Sequence, residues 1–206
     1  MTRSEDPPAF RPAIRAGTAG KVLILAALAM CHLLGPAAGT EKIVLDSRQL
    51  TIRFEVRSFG VWSVAGRFAE ARGEIAFDPT EPTRSQVRVV ARTPSIDTAS
   101  AARDAALRST HFFDTERHPL LTFESTQITL MDRTTGTVTG NLRMIGVSKP
   151  IRLTFELRRD GGPTQQIGAG RFQASGMLRR SEWGMTAFIP TISDEVRLEI
   201  EAHLSP

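Results

Sequence analysis

The sequence predicts an all-β protein, an eight-stranded antiparallel up-and-down barrel with one short helical insert at about residues 100–113. Three observations lead there. Apolar and polar residues alternate with a period of two along most of the chain, turn-forming residues separate the alternating stretches, and a single alanine-rich segment breaks the pattern. A period of two places successive side chains on opposite faces of a strand. One apolar face and one wet face belong to antiparallel sheet, because parallel sheet is covered on both sides.

Residues 1–39 read as an export address. Arg11, Arg15 and Lys21 precede the apolar run from Val22 to Leu34, and the small-residue stretch GPAAGT follows, which is the order of a cleavable signal peptide. The run is shorter than the ~20 residues a membrane-spanning helix needs. Cleavage is expected after Gly39, leaving residues 40–206 as one domain in the periplasm. Cys31, the only cysteine, would leave with the signal, so neither thiol chemistry nor disulfides are expected in the mature domain. A hydrophobic content of 41% and a charged content of 23% suit a folded domain rather than a disordered chain. The net charge of +4 falls further with the leader: removing Arg3, Arg11, Arg15 and Lys21 against Glu5 and Asp6 leaves 22 basic and 20 acidic residues. That near balance argues against a nucleic-acid partner, which requires a clustered basic face.

The strands follow in order. Leu50, Ile52, Phe54 and Val56 alternate with Thr51, Arg53, Glu55 and Arg57. Ala71, Gly73, Ile75 and Phe77 oppose Arg72 and Glu74, and Val87, Val89 and Ala91 oppose Arg88 and Arg92. Beyond the insert come a strand around Phe123, then Val138, Gly140, Leu142 and Met144, then Ile151, Leu153, Phe155 and Leu157. The pattern closes with Phe172, Ala174 and Gly176 and with Val196, Leu198, Ile200 and Ala202. Asp78-Pro79, Glu81-Pro82, Thr135-Gly136, Gly146, Asp160-Gly161-Gly162-Pro163 and Ser193-Asp194 supply the turns. Closing such a sheet on itself removes its exposed edges. A barrel of this size is either filled by its own side chains or holds one small ligand. The small inward residues Ala69, Ala71, Gly73, Ala174 and Gly176 signal either a thin wall around a hollow or sharp strand curvature, and periodicity leaves both open.

In the insert, Ala101, Ala102, Ala105, Ala106 and Leu107 are strong helix formers, and Ser100 stands at the N-cap position. So short a helix is unstable alone, so its alanine face is expected to dock. Phe112 and Phe113 follow at once, as a plug for the barrel mouth or as core. His111 and His118 lack the spacing of a metal motif, and no nucleophile elbow, phosphate loop or dinucleotide fingerprint is present, so no catalytic residue, metal or cofactor is assigned. Asp97, Arg103 and Asp104 read as a salt-bridged loop clamp before an acid/base cluster. Trp183 either reaches the opening or locks the fold, and Arg179 and Arg180 read as a wet strand end before a headgroup site.

Several spaced motifs now stand in order: VRSFGVWSVAGRF at 56–68, SIDT at 95–98, RDAALRS at 103–109, FFD at 112–114, LTFES at 121–125, VTGNLRMIGVSKP at 138–150 and RRSEWGM at 179–185. This order resembles the YceI-like family, exported lipid-binding proteins of bacteria, over essentially Lys42 to Leu204. The resemblance implies a lipocalin-like barrel that sequesters or carries a long isoprenoid, isoprenoid quinone or fatty-acyl chain. It departs from the family at Arg57-Ser58-Phe59, where a histidine is frequent, so it implies no particular headgroup. From the apolar faces, the expected lining is Phe54 and Val56, Phe77 and Val89, Phe123 and Leu142, and Phe155, Phe172 and Leu198, with Phe112 and Phe113 as the gate. The alternatives are an enzyme acting on a lipid or quinone through His111, Asp97 or Asp104, and a filled barrel without a ligand. Oligomeric state, a homodimer included, and any transient membrane contact are left open by the sequence.

Overall fold

The computed structural model describes residues 40–158 and 170–204. The expected leader with Cys31 and His32, and the turn Asp160-Gly161-Gly162-Pro163, lie outside the described residues. Among the described residues eleven strands and one α-helix form in the order β1 (Glu41–Leu45), β2 (Leu50–Ser58), β3 (Trp62–Phe68), β4 (Ala71–Phe77), β5 (Gln86–Arg92), β6 (Ile96–Asp97), α1 (Ala101–Arg108), β7 (Leu120–Leu130), β8 (Thr135–Met144), β9 (Val147–Arg158), β10 (Gly170–Arg179) and β11 (Ile192–Leu204). One antiparallel sheet holds them in the order β1-β4-β5-β7-β8-β9-β10-β11-β2-β3-β6. It curls round so that β2 and β4 face each other: Leu50 packs over Gly73, and the Ser47 hydroxyl donates to the Ala71 carbonyl at 2.9 Å.

The all-β barrel is as expected, but the strand count is eleven and not eight. β1, β3 and β6 escaped the periodicity for physical reasons. β1 is a five-residue strand with Val44 exposed, so its apolar contrast is weak. In β3 the small Ala65 faces water while Gly66 and Phe68 are buried, and Trp62 is exposed, which blurs the alternation. β6 is two residues long and pairs only with the end of β3. β7 is longer than the stretch around Phe123 suggested, because a bulge between Ser125 and Gln127 shifts its register against β8.

The inward face is organised by glycines set beside phenylalanines. Gly66 lies directly across the ladder from Phe54, and Gly136 directly across from Phe155. A Cβ on Gly66 would collide with the Phe54 ring, one on Gly136 with the Phe155 ring, and one on Gly140 with the Phe123 ring and the Glu124 carbonyl. Each ring therefore lies flat over a neighbouring strand instead of projecting toward the centre. Ala69, counted among the inward residues from sequence, is exposed in the turn before β4, its N–H donating to the Ser95 carbonyl at 3.0 Å. On the outer face, cross-strand pairs such as Arg88–Glu124 at 3.3 Å and Arg53–Glu201 at 3.5 Å link neighbouring strands. They are exposed and worth at most about 1 kcal/mol each.

Asp132 organises the β7–β8 turn. Its carboxylate accepts the N–H groups of Thr134 and Thr135, both at 2.7 Å, and the Thr135 hydroxyl at 2.7 Å. These bonds, the Thr134 N–H first, hold its pKa down at about 2 from 3.8. A depressed carboxylate stabilises the fold above its unfolded pKa, and that contribution disappears as pH falls through the folded value. Asp132→Ala should therefore be less stable than the parent at neutral pH, with the gap shrinking as pH falls from 3.8 toward about 2. Denaturant unfolding across that range checks this; a gap unchanged at its acid end contradicts it. Gly140→Val should lose about 1–3 kcal/mol of unfolding free energy, the usual cost of overpacking. Unaltered stability would mean the Phe123 ring moves aside freely.

Candidate binding cavity

The barrel encloses a cavity of about 650 Å³, within the range of roughly 300–1,000 Å³ usual for small-molecule sites. Every residue expected to line it does so. Phe54 and Val56 come from β2, Phe77 from β4 and Val89 from β5. Phe123, Leu142, Phe155, Phe172 and Leu198 come from β7, β8, β9, β10 and β11 in turn, and Phe112 and Phe113 from the segment after α1. Phe155 and Phe172, on adjacent strands, stack with ring centroids 5.3 Å apart. Phe68, quoted in a motif but not among the expected lining, links Phe54 at 5.9 Å to Phe113 at 5.7 Å. Its signal was available, since it follows the exposed Arg67 at strand spacing.

Among the described residues, polar lining residues stand only at the two ends. Ser58, Arg103 and Arg180 belong to the end where β2, β8 and β10 finish, and Ser85, Arg133 and Thr134 to the turns at the other. Between them the described wall is wholly apolar. An ion or unpaired amide in that stretch would lose several kcal/mol of hydration, of order 2–7 for a neutral polar group. A hydrocarbon loses nothing there, so the geometry selects an apolar chain with polar groups restricted to its termini.

Phe112 and Phe113, each 7% exposed, take different places. Phe113 packs edge-on against Phe68 in the core, whereas Phe112 stacks on the exposed Phe188 at 6.0 Å, at the first of these ends. Phe188 had no sequence signal, because it sits in a turn with φ of 59° and belongs to no strand.

The helix is held differently from expectation. Ala101, Ala102 and Ala105 are exposed, so the alanine face does not dock, and Ser100 at the N-cap makes no side-chain capping bond. Charged side chains anchor α1 to the segment before it. Asp104, buried, accepts the Thr98 N–H at 2.9 Å and hydroxyl at 2.6 Å. Arg103 donates to Thr98 Oγ1 at 2.9 Å and to its carbonyl at 2.8 Å, and Arg108 donates to the carbonyls of Pro94 and Ile96, both at 2.9 Å. Charge-assisted hydrogen bonds of this kind are roughly twice as strong as neutral ones, so they hold a short helix whose apolar contact with the core is limited to Leu107, beside Ala106 on the cavity wall. The clamp foreseen in Asp97, Arg103 and Asp104 exists, but it is built on Thr98 and not on Arg–Asp pairing. Asp97 instead meets Arg67 at 3.0 Å. Asp97, Asp104 and His111 are absent from the described cavity wall. His118 is half-buried beside Gly146, and its carbonyl accepts the Thr93 hydroxyl at 2.6 Å.

Arg180 corrects the reading of a wet strand end. It is 3% exposed. Its guanidinium donates to the carbonyls of Ser193, Met185 and Ala187 at 2.9 Å and of Ile192 at 3.0 Å, gathering the β10–β11 connection around one side chain. Burial pushes its pKa below the usual arginine value, with Asp194 partly offsetting the shift. Burial would raise Asp194, but the hydroxyl and N–H of Ser181 and the Arg180 charge together hold it below the ordinary carboxylate range. Arg179 remains exposed. Trp183, 1% exposed, donates its indole N–H to the Leu142 carbonyl at 3.0 Å, so it locks the fold and is absent from the cavity wall.

The profile of the family described as a YceI-like domain matches residues 44–204. A UPF0312 protein of Pectobacterium atrosepticum is 34% identical over 181 residues, covering 87% of this chain and 93% of its own. A UPF0312 protein of Pseudomonas paraeruginosa is 34% identical over 179 residues, with 84% and 93% covered. Among solved structures, Burkholderia cenocepacia BcnA superposes with a TM-score of 0.67 at 18% identity, over 78% of this chain and 99% of that one. The Campylobacter jejuni YCEI protein gives 0.59 at 28% identity, over 71% and 88%. A polyisoprenoid binding domain from Saccharophagus degradans gives 0.60 at 14% identity, over 81% and 99%.

Arg180→Met should lower stability by about 3–5 kcal/mol, because it removes the one donor shared by a buried carbonyl, that of Met185, and three part-buried ones. Equilibrium unfolding tests this, and a loss below about 1 kcal/mol would show that water replaces the guanidinium.

Proposed function

The chain belongs to the YceI-like family, and from that premise we propose that it binds one long apolar molecule inside the barrel, sequestering or carrying it in the periplasm once residues 1–39 are removed. The molecule is an isoprenoid, an isoprenoid quinone or a fatty-acyl chain. The observation that carries this reading is the apolar-walled hollow of about 650 Å³ with polar residues only at its ends. The Saccharophagus degradans neighbour, described as polyisoprenoid binding, supports the ligand class through its shared fold.

The mechanism is desolvation. Each methylene moved from water into the cavity contributes ~0.8 kcal/mol, so a chain of about ten carbons gains several kcal/mol before the cost of ordering it. No chemical step is part of the proposal: Asp97 and Asp104 are engaged in structural hydrogen bonds, and neither they nor His111 stands on the described wall.

Mass spectrometry of an organic extract of the protein, expressed as the full chain and purified from its native host, tests the reading. A long-chain apolar compound is expected, lost from the cavity-filling variant Ala174→Trp. An empty extract, together with delipidated protein that takes up no apolar dye, would overturn it. The two phenylalanines should also separate. Phe112→Ala should speed ligand release, because the stack on Phe188 at the mouth is lost, and as a buried residue it should also lower stability. Phe113→Ala should destabilise the fold by about 3–5 kcal/mol as a core truncation. Stopped-flow transfer to acceptor vesicles reads the first effect and thermal unfolding the second; identical behaviour of the two variants would remove the gate role of Phe112.

A further inference from the structure

The end of the barrel where Phe112 lies carries an exposed apolar rim, of which Phe188 alone also lines the described cavity. Phe59 is 66% exposed, Val61 79%, Trp62 66%, Phe188 63% and Ile189 40%. They come from two segments that meet. The β2–β3 turn holds Phe59 and Val61, and its Phe59 N–H donates to the Thr191 carbonyl of the β10–β11 connection at 2.7 Å. Phe59 and Trp62 pack edge to face at 6.1 Å, and Phe188 stacks on Phe112, so the rim runs without interruption into the cavity wall.

Two further features mark this rim. Phe59 at φ 52° and Phe188 at φ 59° occupy the left-handed region, a strain of order 1–3 kcal/mol each that persists only where surroundings impose it. Here the strained residues are aromatics pushed into water. The charge around them is also predominantly basic. Arg57 precedes the β2–β3 turn, Arg143 and Lys149 flank the β8–β9 turn, Arg179 ends β10 and Arg103 stands on α1, all exposed. The ladder registers bring Arg57, Arg143, Lys149 and Arg179 to one end of the sheet, and Arg103 belongs to the cavity lining. The exposed acidic residues there are Glu70, which pairs with Arg92 at 3.4 Å, Glu116, Glu182 and Glu195, while Asp104, Asp114 and Asp194 are buried or half-buried.

We propose that this rim docks on a lipid bilayer surface carrying anionic headgroups, with Phe59, Val61, Trp62, Phe188 and Ile189 entering the interface and the basic residues facing the headgroups. Tryptophan and phenylalanine favour the headgroup–acyl boundary, and basic residues near an anionic surface add attraction that salt screens. The orientation places the cavity mouth against the membrane, so an apolar chain passes between bilayer and barrel without crossing water. The inference rests on the cavity binding such a chain, and the experiment separates the two claims.

The exported chain is floated with vesicles of phosphatidylcholine alone and of phosphatidylcholine with phosphatidylglycerol in equal parts. Trp62 emission is followed, since Trp183 is already buried. Flotation and a blue shift on the anionic vesicles, weakened by salt, are expected. The double variant Phe59→Asn, Trp62→Thr should bind them at least about tenfold more weakly. Asparagine suits a left-handed position, so this variant folds, and its uptake of an apolar dye in solution should equal the parent's. Dye uptake with no flotation of the parent, or flotation unaffected by the double variant, would overturn membrane docking alone. Self-association abolished by the double variant, without flotation, would assign the rim to a second copy of the chain. Loss of dye uptake by the parent would instead overturn the cavity reading.

Discussion

The cavity depends on rings held against the wall by glycines on the neighbouring strand. Phe54 over Gly66, Phe155 over Gly136 and Phe123 over Gly140 each leave no room for a Cβ beneath the ring. A phenylalanine standing upright in a barrel this narrow would fill its axis. Laid flat, the same residue contributes apolar surface to the wall and leaves the centre empty. Close packing is satisfied between ring and strand, so the hollow at the centre does not come from a poorly packed wall.

The two ends follow another logic. There the backbone leaves the ladder and its carbonyls must find donors elsewhere. Arg180 supplies them for the β10–β11 connection, and Arg103 and Arg108 do so for the segment before α1. Of the three only Arg180 is buried; burying an arginine is expensive, yet it is surrounded by four carbonyl acceptors, and a planar fork with several N–H groups suits that task better than lysine does. The mouth is thereby shaped by polar bonds while the wall is shaped by apolar packing. That division lets one end carry strained, exposed aromatics without disturbing the interior.

Much of this was legible beforehand. β2, β8, β9 and β11 alternate so cleanly that their inward residues could be named, and all of the expected lining residues reach the cavity. Of the two expected gate residues Phe112 lies at the mouth and Phe113 in the core, and their separate partners, Phe188 and Phe68, lie far away in sequence. The alanines of α1 misled, since helix propensity says nothing about which face a helix buries. Arg180 misled because an arginine at a strand end is usually solvated, and its four acceptors come from residues 185–193, which have no regular pattern.

The sequence by itself determined which side of each strand is apolar, because side-chain direction alternates with every residue and needs no knowledge of neighbours. It also determined the family, through spaced motifs in a set order. Only the tertiary structure decided that the apolar side encloses space. Whether inward glycines mean curvature, thinness or a seat for a ring depends on which residue sits opposite, and that is settled by register between strands. The same holds for the exposed rim: Phe59 and Phe188 are far apart along the chain, and their common surface exists only because β2 and β11 pair.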